Sequence, residues 1–143
     1  MHHNVFFFLQ HKNQVNYFYD YLTIEEGLAL MKRHGYTCMP VIDSKGLYKG
    51  AVTEGDFLWH ICSHIEQEDY KTIADTCVGD LVRPDFMPAV SIEVPVEELF
   101  EVSLNQNFVP VTDDRGIFIG IVTRQKILRY LLDFAAAQPI EEF

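Results

Sequence analysis

The chain has 143 residues, 48% hydrophobic and 22% charged. That is enough for one domain, or two very small ones sharing a core, burying roughly 68–70% of the unfolded surface with no metal or disulfide staple. Eleven Lys and Arg against 21 Asp and Glu leave a net charge of −10, the wrong sign for a protein that neutralises the phosphates of a duplex or docks on an anionic membrane.

Val5 to Leu9 is an apolar run too short for a transmembrane span or a signal-peptide core. It reads as a strand. The preceding His2 and His3 carry no signal. Val15 to Tyr19 reads as a second strand, with Tyr17, Tyr19 and Tyr21 alternating along it. Thr23 caps a helix from Ile24 to His34, which Gly35 stops. Met39 to Ile42 is a short buried strand opened by Pro40. Asp43-Ser44-Lys45-Gly46 is a four-residue turn, and Tyr48 to Val52 completes a hairpin. From Thr53 a helix carries Phe57, Leu58, Ile61 and Ile65 at helical spacing. Trp59 on it is expected at an interface, either between the two halves of the chain or between two copies. His60 and His64 sit one turn apart, with no third ligand at metal-binding spacing. Glu66, Glu68 and Asp69 read as a solvated loop.

The same order then recurs. Val78 to Val82 is a helical lead-in, Ala89 to Glu93 a strand and Val96 to Leu104 a helix. Phe108 to Val111 and Ile117 to Val122 form a hairpin, and Arg124 to Ala135 a closing helix. Shifted by 70 residues, the segment Pro40 to Thr53 falls on Pro110 to Thr123 with seven identities in 14 pairs. The chain is therefore two copies of one strand–helix–strand–strand–helix unit, 1–70 and 71–143, joined near Tyr70 to Asp75. Each α/β unit leaves one apolar face open, and two units side by side cover it. Cys38, Cys62 and Cys77 are odd in number and form no CxxC pair, which favours a reducing cytoplasm. No nucleophile elbow, P-loop, dinucleotide fingerprint or HExxH motif is present. The chain is read as a non-enzyme with neither a catalytic cofactor nor a metal.

The pattern Pro-Val-x-Asp-x-x-Gly-x-x-x-Gly-x-Val-Thr-x-x-Asp, running from Pro40 to Asp56 ahead of an apolar helix, resembles the cystathionine-β-synthase (CBS) domain. Two in tandem resemble a CBS pair. The resemblance covers about Val5 to Phe134 and implies a stand-alone, pseudo-twofold pair with two clefts that dimerises further and regulates a protein partner. It implies an adenine nucleotide as ligand, AMP, ADP or ATP, in the cleft of the first repeat. Cyclic di-AMP is the alternative ligand, and a ligand-free dimerising scaffold the alternative from another class.

At Thr53-Glu54-Gly55-Asp56 a strand turns into a helix, whose free N–H groups make a natural anion seat. Gly55 lets a ligand approach the backbone. By the resemblance, Thr53 holds a phosphate and Asp56 the two ribose hydroxyls. The same Thr-x-x-Asp spacing also makes a capping box that needs no ligand. Thr123-Arg124-Gln125-Lys126 keeps the Thr but has Lys126 at the acid's position, and Lys cannot accept ribose hydroxyls. Arg124 and Lys126 are either solvated helix-end charges or, with Arg124 on phosphate, a basic corner of the ligand site. The base is expected against Thr37, Cys38, Met39 and Pro40, facing Gln14, Val15 and Asn16. Met39 and Val15 would form apolar walls and Thr37 would offer a hydroxyl. Apart from the resemblance, these are core residues.

Overall fold

The computed structural model describes residues 3–140, so Met1, His2 and the last three residues lie outside it. Thr23 caps helix α2 (Ile24–His34) in a reciprocal box with Glu26, and Gly35 ends it in the left-handed conformation at φ 69°. The first hairpin is β3 (Cys38–Ile42) and β4 (Tyr48–Thr53), antiparallel, with Cys38 opposite Thr53. The short strand β2 (Phe18–Tyr19) joins β3 in parallel, giving the sheet order β2-β3-β4. In the turn, Asp43 Oδ1 accepts from the N–H groups of Lys45 and Leu47, both at 2.9 Å. Asp113 repeats this with Arg115 and Ile117 at 2.9 and 3.0 Å. Helix α3 (Glu54–Glu66) follows, and the link to the second repeat folds as helix α4 (Tyr70–Asp75) capped by Asp69.

The second repeat gives β5 (Val90–Ser91), α5 (Val96–Ser103), β6 (Phe108–Thr112), β7 (Phe118–Thr123) and α6 (Arg124–Ala136). The two hairpin turns meet at the pseudo-twofold. Tyr48 N–H donates to Gly116 O at 3.1 Å, and its mate Phe118 N–H donates to Gly46 O at 2.9 Å. The same offset of 70 residues relates the two bonds.

Val5–Leu9 is not a strand. Val5–Phe8 is a helical turn, α1, capped by Asn4, and the strand is the next segment, β1 (Gln10–His11). Val5 and Phe8, three residues apart, are buried while Phe6 and Phe7 are exposed. Helical spacing puts that pair on one face, and strand spacing would split it. The buried pair enters the core of the second repeat, with Leu99, Val109, Val111 and Ile127. Strand β1 pairs antiparallel with β7 and completes the sheet β1-β7-β6-β5. The other lead-in, a 3₁₀ turn at Val78–Leu81, does the converse. Val78 and Leu81 join Phe18, Met31, Val41 and Phe57 in the first core. Each lead-in thus packs on the opposite repeat, which ties the two sheets into one body. Two glycines permit the close approach: a side chain at Gly50 would meet Val82, and one at Gly120 would meet the carbonyl of Gln10.

Trp59 is 79% exposed, so it does not sit at the junction of the repeats. Among the described residues, no helix is long and apolar enough to cross a membrane.

Candidate functional site

Helix α3 starts where the sequence spacing placed it. Thr53 Oγ1 accepts from Asp56 N–H at 3.2 Å, and Asp56 Oδ2 accepts from Thr53 N–H at 2.8 Å and from the Thr53 hydroxyl at 3.0 Å. The Glu54 N–H donates to Thr37 O at 3.0 Å, which pins the helix start to the mouth of β3. Of the first three helical N–H groups, these bonds leave that of Gly55 without a protein acceptor. The second repeat repeats the arrangement, Arg124 N–H to Asn107 O at 2.9 Å and Lys126 N–H to Thr123 Oγ1 at 3.2 Å. Lys126 carries no acceptor, so the box is half made there.

Thr53, Glu54 and Gly55 open onto a cleft of about 590 Å³. Tyr36, Thr37 and Cys38 form its near wall. The far wall comes from the second repeat, Phe86 and Met87 on one side and Asn105 to Phe108 on the other. The size lies within the usual range for small-molecule sites. Gln14, Val15, Asn16, Met39, Pro40 and Thr123 surround a different and smaller cleft of about 230 Å³. Gln14 to Asn16, expected beside Thr53, line this second cleft, and Thr53 lines the first. Tyr36, Cys38, Asn107 and Phe108 are the wall the two clefts share.

The remaining candidates lie apart from both. Asp56 faces a third cleft of about 360 Å³ with Trp59, His60 and Asp80. Its carboxylate is already engaged: besides the cap, Oδ1 accepts from Arg83 Nε at 2.8 Å, with the Asp56 side chain 9% exposed. Arg124 does not stand free at a helix end. It donates to Ser103 O at 2.9 Å, Leu104 O at 3.4 Å and Asn107 Oδ1 at 3.1 Å, closing the C-terminal end of α5 as a cation suits a helix dipole. Lys126 is exposed.

The His60 and His64 ring centres lie 4.2 Å apart with the planes tilted by 42°, and His60 Nε2 lies 3.1 Å from Thr76 Oγ1. Burial, then His64, holds the His60 imidazole below its ordinary pKa, against the pull of Asp80.

The far wall has little signature in the sequence. Asn107 and Phe108 could have been found, since the 70-residue offset makes them the mates of Thr37 and Cys38. Phe86 and Met87 have no such signal: they sit in an aperiodic loop.

Cys38 sits in the shared wall. Burial, and next the Asp56 carboxylate, push its thiol up to about 11, with Arg83 pulling the other way. At pH 8 such a thiol is ionised about once in a thousand, and the thiolate is the reactive species. Exposed Cys62 is therefore expected to react with a maleimide far faster than Cys38, and the Cys38 rate to climb as pH rises toward 11. Peptide-resolved labelling checks this, and equal rates at pH 8 would contradict it.

The profile of the CBS domain matches residues 11–63 and 78–133. The chain belongs to the CBS domain family. This CBS pair is 27% identical over 108 residues to the cyclic di-AMP receptor B of Bacillus subtilis strain 168, covering 76% of this chain and 72% of that one. A crystal structure of CbpB in complex with c-di-AMP superposes with a TM-score of 0.81 at 21% identity, covering 95% and 91% of the two chains. The structure of CBSX2 in complex with AMP gives 0.75 at 25% identity, covering 93% and 98%.

Proposed function

We propose that this CBS pair is a cytoplasmic regulatory protein that binds an adenine nucleotide in the cleft between Thr53–Gly55, Tyr36–Cys38 and the second repeat. The observation that carries the reading is the cleft itself. It is of nucleotide size, it joins a helix start to a strand mouth, and both repeats line it. In this reading Gly55 gives a phosphate access to the backbone, Thr53 and Thr37 supply hydroxyls, and Asp56 supports the site from behind. Occupancy acts by favouring one arrangement of the two repeats over another. No group in the cleft is given a catalytic role.

Cyclic di-AMP is the second reading. It is supported by the relatives that carry that ligand in their names, and by the smaller cleft of Gln14, Val15, Asn16, Met39, Pro40 and Thr123 lying across a shared wall. Two adenosines could then occupy two clefts. A thermal-shift series with AMP, ADP, ATP, S-adenosylmethionine, cyclic di-AMP and GTP separates the readings. Stabilisation by an adenine mononucleotide supports the first and a shift confined to cyclic di-AMP the second. Silence throughout leaves the ligand-free scaffold.

The regulatory output in this reading passes through a second copy of the chain. Leu58 and Trp59 on α3 and Leu128 and Leu132 on α6 are exposed, Leu132 by 70%. We read these exposed apolar side chains, at matching places on the closing helices of the two repeats, as the interaction surface. Trp59 emission is expected to shift to the blue as protein concentration crosses the dimer transition, and Leu132→Glu to abolish the shift. Emission independent of concentration, with a monomer in sedimentation, would contradict dimerisation.

A further inference from the structure

The far wall of the larger cleft rests on a loop that needs ties. Asp85 and Met87 hold φ of 62° and 56°, left-handed values that cost non-glycine residues roughly 1 kcal/mol or more each. Two contacts from the first repeat hold the loop. Tyr48 donates its hydroxyl to Met87 O at 2.6 Å. Arg83, at the head of the loop, reaches 27 residues back to Asp56: Nε lies 2.8 Å from Oδ1 and Nη2 3.5 Å from Oδ2. The guanidinium carbon also lies 4.0 Å from the centre of the Phe86 ring. One planar group therefore grips a carboxylate by its edge and an aromatic ring by its face, and that ring lines the cleft.

We infer that Arg83 is a positioning residue for the nucleotide cleft, latching the Phe86–Met87 wall of the second repeat to Asp56 in the first. Asp56, held by the Thr53 cap on one side and by Arg83 on the other, is the anchor of that latch. The inference rests on the reading of the cleft as a nucleotide site. The latch spans the repeats, so it makes the width of the cleft depend on how the repeats sit.

The test is calorimetric titration of AMP and adenosine into the wild type, Arg83→Ala, Arg83→Lys, Asp56→Asn and the Arg83→Ala/Asp56→Asn double variant, with melting temperatures as a fold control. Asn keeps an acceptor for the Thr53 cap and removes the charge. Arg83→Ala and Asp56→Asn are each expected to weaken AMP by about tenfold, the double variant no further, at little cost in melting temperature. Arg83→Lys does not rescue, because an ammonium has no planar face for Phe86. Adenosine loses the same factor as AMP. A loss seen for AMP alone would make Arg83 a phosphate ligand and overturn the inference. So would tighter binding by Arg83→Ala, additive losses, or no loss. If the wild type binds neither AMP nor adenosine, and cyclic di-AMP fails as well, the reading of the cleft falls and the latch with it.

Discussion

Gly120→Val is expected to lower the melting temperature by roughly 10 °C. A Cβ at Gly120 would sit on the carbonyl oxygen of Gln10, with Leu9 Cδ1 2.9 Å away. The obstacle is backbone, so no rotamer change relieves it. Strand β1 would leave β7, and Val5 and Phe8 would loosen from the second core with it. Overpacking of this kind costs about 3 kcal/mol. For a chain of this length each kcal/mol moves the midpoint by roughly 2–4 °C. Gly50→Val is expected to cost less, because its obstacle is the side chain of Val82. Calorimetric melting of the two variants checks both the size and the order. Equal and small losses would mean that the lead-in is not held as described.

Gly55→Leu is expected to do the opposite: keep the fold and remove the ligand. A Cβ there would meet only Thr53 Oγ1, at an ordinary 3.5 Å, and leucine is a better helix former than glycine by up to about 1 kcal/mol. The melting temperature should hold or rise. The side chain would occupy the helix start that the proposed ligand needs to approach, and adenine nucleotide affinity should fall by about a hundredfold, roughly 2.7 kcal/mol of binding free energy. Titration of the two proteins under one buffer checks it. Undiminished affinity would move the ligand away from Thr53–Gly55.

These two glycines mark what a sequence does and does not disclose. The repeat, both hairpins, the Asp43 and Asp113 turns and the Thr53 cap are local: their determinants lie within a few residues, and the structure keeps them all. The exchange of lead-ins is not local. Val5–Leu9 is apolar enough for either element, and only the burial of Val5 with Phe8 against Leu99 and Ile127 selects a helix. The partition of the candidate residues follows the same division. Thr37, Cys38, Thr53 and Gly55 meet because β3 and β4 are paired at Cys38 and Thr53. Gln14 to Asn16 go to the other cleft because the lead-in runs along β7, and Arg124 is drawn to the end of α5 by three acceptors that no spacing rule points to. Arg83 is 27 residues from its partner, beyond any motif window.

The most direct measurement is a two-dimensional amide NMR titration with AMP and with cyclic di-AMP. The largest shifts are expected at Gly55, whose N–H has no acceptor among the described residues, and along Tyr36 to Cys38 and Asn107, with GTP causing none. Spread of the changes to Val15 and Asn16 with cyclic di-AMP alone would select the second ligand. Shifts centred away from both clefts, or no shifts with either adenine ligand, would contradict the claim that this pair of repeats is a nucleotide site.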